Sequence, residues 1–118
     1  MLIAVDQPFD LDSTLGSGQV FRWHRNDGWS TGVVFGNVVS MRQIGSGVEF
    51  SSAPDDEAAL RPLLADYLGF GADLESIYAA IGTDERMRAA IERYKGMRIL
   101  RQDPWECLVS FICSSASN

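Results

Sequence analysis

The sequence predicts an α+β fold in which an antiparallel β-sheet is packed with helices. Two observations lead to this prediction. Alternating apolar and polar residues, separated by glycine-containing turns, fill the first half of the 118 residues, as expected for a strand meander. From Pro54 onward, capping residues and helically spaced apolar residues replace the alternation. Strands followed by helices favour a sheet covered on one face over alternating βαβ units.

Turn signals divide the first half into five predicted strands. The tripeptide Asn-Asp-Gly at 26–28 is a strong hairpin signal, and Gly-Asn at 36–37 and Gly-Ser-Gly at 45–47 mark two further turns. Residues 9–18 predict a short helical turn that runs into a tight glycine loop. The predicted strands are, in chain order, residues 2–5 at an edge, 19–25, 29–35, 38–44 and 48–51.

Two helices are predicted directly after Pro54. The first covers residues 56–68, and we expect Pro62 to split it or to mark its real start, because proline lacks the N–H that a helix interior uses. Asp73 is expected to cap the second helix, and Gly82 to end it.

A third predicted helix has Thr83 as its cap and stops at Gly96. Its apolar residues follow the i, i+3, i+4, i+7 spacing that places side chains on one helical face. The residues in this stripe are Met87, Ala90, Ile91 and Tyr94.

The fourth predicted helix starts at Asp103, with Pro104 at its first position and Glu106 placed as the acid of a capping box. It is apolar on nearly every side, and such a helix needs partners all round to bury it. We therefore expect the chain to be the N-terminal part of a larger protein, with one domain over 1–102 and the truncated start of a helical domain over 103–118. The apolar residues are Trp105, Cys107, Leu108, Val109, Phe111, Ile112 and Cys113.

Composition indicates a folded intracellular protein. The hydrophobic fraction is 46% and three Trp are present, which argues against disorder. The first residues carry no basic segment and no long apolar run, so we expect neither a signal peptide nor a membrane span, and a cytoplasmic location. Cys107 and Cys113 lie on one predicted helix, about 9 Å apart along its axis and on different faces, which excludes a mutual disulfide.

The formal net charge of −6 argues against a broad phosphate-binding surface. Basic residues nevertheless crowd one later stretch, and two interpretations of it stay open: a solvated helix face and loop, or a patch that faces phosphates. The residues concerned are Arg86, Arg88, Arg93, Lys95, Arg98 and Arg101.

No motif of a complete active site is present, since the sequence lacks GxSxG, P-loop and HExxH patterns. His24 is interpreted as an ordinary strand residue. Lys95 is interpreted as a solvated lysine near a helix end, where the helix dipole favours it. With a single His and no Cys or His at ligand spacing, we expect no metal site.

The glycine loop before the second strand has two interpretations. Gly16 and Gly18 flank Ser17, which is typical of a turn that needs positive φ. Alternatively, the missing side chain lets the backbone approach a flat ligand closely. A backbone carbonyl is a pure acceptor, so it can test whether that ligand carries an N–H.

Two segments resemble the 8-oxoguanine DNA glycosylase family: GSGQVFRW at 16–23 and RILRQDPWECLVSFICSSASN at 98–118. FDLDSTL before the first and DLESIYAAIG between them also resemble family sequence, in the expected order. The resemblance implies a helix-hairpin-helix glycosylase whose N-terminal domain is a TATA-binding-protein-like antiparallel sheet packed with helices. The resemblance also implies a role in base excision repair of damaged DNA. The enzyme would be bifunctional: a DNA glycosylase, which is a hydrolase, removes 8-oxoguanine, and an AP lyase activity then cleaves the strand.

The resemblance assigns base recognition to Gly18, which matches the family glycine whose carbonyl accepts a hydrogen bond from N7–H of the oxidised base. Phe21, Arg22 and Trp23 are interpreted as supports of this loop and mostly as core residues.

Near the end of the chain the match to the family weakens. The family has consecutive asparagines that contact the orphaned cytosine, and here Ala116, Ser117 and Asn118 occupy the corresponding positions. Ala116 carries no amide, so selectivity for the opposite cytosine is either relaxed or supplied by other residues. Ser117 and Asn118 are retained as candidate DNA contacts.

The family's catalytic lysine and aspartate fall in regions outside this sequence, and Lys95 does not match that motif. The chain alone is therefore expected to be inactive, to need no cofactor, to be monomeric or weakly self-associating, and to avoid membranes. The longer protein is expected to bind double-stranded DNA containing oxidised guanine, in a nucleoid or a nucleus. Two alternatives stay open: a related alkylated-base glycosylase, and a non-catalytic protein-binding module.

Overall fold

A five-stranded antiparallel sheet forms the first half of the chain in the computed structural model, which describes residues 1–116. The sheet order is β1-β5-β4-β3-β2, so the last four strands form a meander and β1 pairs with β5 at an edge. The predicted antiparallel sheet and the predicted edge strand are confirmed. The strands are β1 (Leu2–Ala4), β2 (His24–Asn26), β3 (Trp29–Val34), β4 (Asn37–Ile44) and β5 (Gly47–Ala53).

Five helices complete the described part of the chain, and four of them follow the sheet in sequence. The predicted α+β class is thereby confirmed. None of the helices within residues 1–116 is long and apolar enough to cross a membrane. The helices are α1 (Leu11–Leu15), α2 (Glu57–Tyr67), α3 (Leu74–Ile81), α4 (Glu85–Arg93) and α5 (Pro104–Ala116).

The core lies between one face of the sheet and the helices α1 and α2. Met41 of β4 and Phe50 of β5 are paired across the sheet and are buried. Leu60 and Leu64 of α2 pack over this face, and each buried leucine stabilises the fold by roughly 1.5–3 kcal/mol. The remaining apolar members of the cluster are Ile3, Leu11, Leu15, Val34, Val39, Val48, Tyr67, Leu68 and Leu100.

The predicted strand at 19–25 is wrong for most of its length. Only His24 and Arg25 of that stretch lie in a strand, and residues 19–23 are irregular. The physical reason is that the carbonyl of Gln19 accepts from the side chain of Gln102 at 2.9 Å, so a long-range side-chain contact uses this backbone group instead of a ladder.

Two helix predictions are also corrected. Pro62 neither splits α2 nor starts it, because proline removes one internal hydrogen bond while buried Leu60 and Leu64 on either side hold the helix on the core. Asp84, one residue after the predicted Thr83, caps α4, and its Oδ1 accepts from the amide of Met87 at 2.8 Å.

The predicted boundaries of α3 agree with the structure. Asp73 caps α3, accepting from the amide of Ser76 at 3.2 Å, and Gly82 is its C-cap. The helix α4 ends earlier than predicted, because Tyr94 is its C-cap, and Gly96 lies in the turn that follows, with φ +91°. The apolar stripe of α4 is present, but none of the residues of this helix is buried.

Candidate functional site

Gly18 occupies an open, left-handed backbone position at the tip of the loop after α1. Its φ is +89°, and a Cβ added to it would meet no atom within 4 Å. The residue is exposed. The positive φ agrees with the turn interpretation, and the open space is what the close approach of a ligand requires.

The beginning of the loop is tied to the end of α1. The amide of Gly16 donates to the carbonyl of Asp12 at 2.9 Å, and a Cβ at Gly16 would lie 2.9 Å from that same oxygen. The hydroxyl of Ser17 donates to the carbonyl of Thr14 at 3.1 Å. Glycine is therefore required at residue 16 by close contact and at residue 18 by backbone conformation.

Gln19 binds the other side of the loop to a distant segment. Its Nε2 donates to the carbonyl of Arg98 at 2.8 Å, and its Oε1 accepts from the amide of Leu100 at 2.8 Å. The side chain of Gln102 donates to the Gln19 carbonyl at 2.9 Å. The loop and residues 98–102, which lead into α5, are thus held together by side-chain amides.

Arg98 anchors this distant segment in the protein interior. The residue is only 3% exposed, and its guanidinium donates to the carbonyls of Gly69 at 2.7 Å and Ala72 at 3.2 Å. It also reaches the side-chain oxygen of Gln7 and the carbonyl of Pro8, both at 3.3 Å. Burial lowers the pKa of Arg98 from its ordinary value, because the charged form loses hydration.

Thr14 joins the anchor to α1 at a buried contact. Its hydroxyl donates to the carbonyl of Asp10 at 2.7 Å and accepts from the amide of Arg98 at 3.0 Å. Thr14 is fully buried, so this link is protected from water. The hydroxyl of Thr14 therefore connects α1, which precedes the glycine loop, directly to the backbone of the segment 98–102.

Among the three predicted loop supports, only Trp23 packs against the core, and it is half-buried there. Its ring packs beside Gly32, and its Nε1 donates to the hydroxyl of Tyr67 at 3.1 Å. Burial raises the pKa of the Tyr67 phenol, and the hydrogen bond from Trp23 offsets only part of that rise. The prediction of core positions is wrong for Phe21 and Arg22, because Phe21 is 56% exposed and Arg22 reaches solvent to pair with another side chain.

That partner of Arg22 is Glu106 of α5, at 2.9 Å. The sequence predicted that Glu106 would reach back within a capping box, and this is wrong because the carboxylate is engaged by Arg22. Asp103 caps α5 as predicted, and its Oδ1 accepts from the amides of Trp105 at 2.9 Å and Glu106 at 3.1 Å. The described part of α5 is exposed, with Trp105 at 73% and Phe111 at 68%.

The described part of α5 extends to Ala116. The candidate DNA contacts Ser117 and Asn118 lie outside the described residues. Cys107 and Cys113 are both exposed and free.

The basic stretch at 86–101 does not form one continuous surface. Arg98 is buried, Arg101 pairs with Asp66 at 3.2 Å, and Arg88 donates to the carbonyl of Gly82 at 3.2 Å. Arg98 fits neither interpretation because it is buried, and the contacts of Arg88 and Arg101 within the protein favour a solvated face and loop for those residues. Within residues 1–116 no cluster of His, Cys, Asp or Glu is arranged to hold a metal ion.

The fold agrees with a comparison against known families. A family model described as the 8-oxoguanine DNA glycosylase, N-terminal domain, matches residues 1–108. The chain belongs to this family.

Curated relatives carry the same kind of domain within longer proteins. The N-glycosylase/DNA lyase OGG1 of Arabidopsis thaliana is 31% identical over 116 residues, which cover 92% of this chain and 31% of the relative. The N-glycosylase/DNA lyase of Saccharomyces cerevisiae is 32% identical over 120 residues, covering 92% of this chain and 32% of the relative. The chain thus spans about a third of the length of these relatives.

Solved structures of glycosylases share the fold. MBOgg1 in complex with a low affinity DNA ligand gives a TM-score of 0.86 at 33% identity, covering 99% of this chain and 40% of that one. The apo-form of the 8-oxoguanine glycosylase/lyase of Clostridium acetobutylicum gives 0.82 at 29% identity, covering 100% and 44%. Its complex with double-stranded DNA containing cytosine opposite 8-oxoG gives 0.80 at 31% identity, covering 100% and 43%.

Proposed function

We propose that this chain is the lesion-recognition part of a bifunctional DNA glycosylase and AP lyase that excises 8-oxoguanine in base excision repair. The observation that carries the proposal is the exposed, positive-φ Gly18 in a chain of this family. The partner of the whole protein is double-stranded DNA with an oxidised guanine. Its place of action is then the genome, in a nucleoid or a nucleus.

The carbonyl of Gly18 distinguishes the two bases by their N7 atoms. Oxidised guanine carries N7–H, which donates to this carbonyl, whereas ordinary guanine presents a lone pair there. Two facing acceptors leave a buried oxygen unsatisfied, at a cost of about 1–3 kcal/mol. Extrusion of the base costs a few kcal/mol, so this contact biases selection without supplying all of the binding energy.

We propose two parts in this chain: a sheet-and-helix domain over 1–102, and the start of a helical domain over 103–118. The exposed apolar side chains of α5 support this division, since an apolar helix is stable when other elements cover it. We propose that the helical remainder of the longer protein covers these side chains of α5. Relatives three times as long provide a segment of sufficient length.

The proposed reaction is displacement of the damaged base at the sugar C1′ by a lysine amine, giving a Schiff base whose elimination cleaves the strand. No residue of this chain is assigned that catalytic role. Lys95 is exposed beyond α4 and has no place in the glycine loop. The contribution of this chain is therefore recognition rather than bond breaking.

Opposite-base selectivity is proposed to be relaxed at Ala116, or supplied by other residues, because a methyl group offers no hydrogen bond to an orphaned cytosine. Ser117 and Asn118 are proposed DNA contacts on the grounds of the family match alone. Excision measured with each of the four bases opposite the lesion tests this. A strong cytosine preference that depends on Ser117 and Asn118 would contradict the relaxed alternative.

The proposal is tested with the full-length protein on duplexes that contain 8-oxoguanine, guanine or an alkylated purine. Base release and a borohydride-trapped adduct are expected for 8-oxoguanine, and neither is expected from the isolated chain. Excision of alkylated purines alone would support a related alkylated-base glycosylase. No release from any duplex would support a non-catalytic binding module.

Gly18→Ala is expected to reduce the preference for 8-oxoguanine about tenfold or more, because a side chain strains the positive φ and moves the carbonyl. Gly36→Ala is the matched control, since Gly36 also has positive φ (+77°) and open space, but lies in the turn after β3. Gly36→Ala should keep the preference. An unchanged preference in Gly18→Ala would remove the proposed role of this residue.

A further inference from the structure

We propose that Gln19 is a positioning residue for the carbonyl of Gly18. Its side-chain amide fixes the glycine loop to residues 98–102, and this fixation maintains the preference for oxidised over normal guanine. The inference deepens the proposed function and rests on the role of Gly18.

Both ends of the Gln19 side-chain amide are used. Its Nε2 lies 2.8 Å from the carbonyl of Arg98, 2.9 Å from the hydroxyl of Ser17 and 3.3 Å from the carbonyl of Thr14. Its Oε1 accepts from the amide of Leu100 at 2.8 Å. One side chain therefore connects the loop before it with a segment about eighty residues away.

The segment that receives these bonds is itself immobilised. Arg98 is buried and donates to the carbonyls of Gly69 and Ala72, and its amide donates to the hydroxyl of Thr14. A clamp positions a loop only when its far side is fixed. Arg98 meets that condition because it is buried and hydrogen-bonded, so the bonds from Gln19 restrict the motion of the loop relative to the core.

Gly18 has no comparable restraint of its own. A Cβ at this residue would find open space, and glycine populates positive and negative φ about equally. The carbonyl of Gly18 and the amide of Gln19 belong to one peptide unit, so holding residue 19 sets the direction in which the Gly18 carbonyl points. The Gln19 carbonyl on the next peptide unit is held as well, by Gln102.

Rotation of this peptide unit would reverse the chemistry of recognition. The carbonyl of Gly18 would turn away, and the amide N–H of Gln19 would take its place. An N–H donates to the lone pair at N7 of ordinary guanine, which is the base the site should reject. Recognition geometry must be held within about 0.5 Å to be productive. Loss of the Gln19 clamp should therefore raise the acceptance of guanine as well as weaken that of 8-oxoguanine.

Gln43 provides a matched control because it performs the same kind of task elsewhere. Its Oε1 accepts from the amide of Leu11 at 2.9 Å, and its Nε2 donates to the carbonyl of Phe9 at 2.7 Å. Gln19→Met and Gln43→Met each remove a side-chain amide that is bonded through both its nitrogen and its oxygen, and each keeps a similar side-chain volume. Only the first releases the glycine loop.

The experiment measures single-turnover excision from 8-oxoguanine and guanine duplexes by the full-length protein and both variants, beside their unfolding free energies. Gln19→Met should lower the ratio of the two rates roughly tenfold, and Gln43→Met should leave the ratio near wild type although it also lowers stability. Gln19→Glu keeps the acceptor for Leu100 but turns a carboxylate oxygen towards the carbonyl of Arg98, so it should lower the ratio at least as far as Gln19→Met. If Gln19→Met does not fold, Gln19→Glu gives the deciding ratio.

Three outcomes would overturn the inference. A wild-type ratio in Gln19→Met, or in Gln19→Glu where only that variant folds, would remove the positioning role while leaving Gly18 intact. An equal fall in Gln43→Met would show that stability alone sets the ratio. If the wild-type protein did not excise 8-oxoguanine at all, the proposed function itself would be refuted, and the role of Gln19 with it. Faster amide exchange at Leu100 in Gln19→Met, and not in Gln43→Met, is the expected sign that the clamp has opened.

Discussion

Gly32 of β3 provides the space in which the ring of Trp23 lies, and Gly32→Ala tests this packing. A Cβ at residue 32 would stand 2.5 Å from one ring carbon of Trp23 and 2.8 Å from two others. Real Cβ contacts are not this short, so the indole must move. Its hydrogen bond to the hydroxyl of Tyr67, now 3.1 Å long, should then be lost.

The expected cost combines three effects. Overfilling a packed site costs about 1–3 kcal/mol, and a lost internal hydrogen bond costs about 0.5–1.5 kcal/mol. Replacing a glycine restricts the unfolded chain and offsets about 0.5–1 kcal/mol. The net destabilisation expected for Gly32→Ala is about 2 kcal/mol, which lowers the melting temperature of a domain of this size by roughly 8 °C.

Urea and thermal unfolding measure this cost, with Gly71→Ala as the control. A Cβ at Gly71 meets nothing within 4 Å, and its φ lies outside the left-handed region, so the control should unfold like wild type or slightly later. If Gly32→Ala matched Gly71→Ala, the packing of Trp23 on Gly32 would not be a constraint on the fold.

Two helix caps give further predictions. Asp84→Ala should lower the opening free energy of α4 by about 1 kcal/mol, which would be measured as roughly fivefold faster amide exchange in α4. Thr83→Ala is the control and should change the exchange rates little. Equal effects of the two substitutions would contradict the observed cap. The hydrogen bonds from Ser76 hold the pKa of Asp73 below its ordinary 3.8. The stability that Asp73 contributes to α3 is therefore present above pH 3.8. This stability is lost as the pH falls through the lower pKa of the folded state. Amide exchange of α3 should therefore accelerate in strong acid, and Asp73→Asn should flatten this dependence; an unaltered profile would show that other groups cause it.

Local signals predicted much of the sheet and the helix ends. The turn at 26–28 was predicted from its residue types, and Asp27 and Gly28 do adopt positive φ, at 52° and 79°. Asp73 and Gly82 were predicted to bound α3 and do so. These features depend on the conformational preferences of a few neighbouring residues, which a single sequence displays directly.

The features that sequence reasoning missed depend on contacts between distant residues. Gln19 was included in a predicted strand, yet its partners lie 79 and 81 residues further along the chain. Arg98 was counted in a basic stretch, although the fold buries it. Glutamine and arginine are common on surfaces, so their residue type gave no sign of these positions. The only available signal was sequence proximity of Gln19 to the glycine loop.

The acceptors around Arg98 determine how its attachment responds to added salt. Backbone carbonyls and one glutamine oxygen receive this guanidinium away from solvent, where screening by dissolved ions is weak. The surface ion pair between Arg22 and Glu106 is weakened by added electrolyte, whereas the attachment of Arg98 is affected much less. In concentrated salt, α5 should therefore loosen from the rest of the chain before the segment beside the glycine loop does.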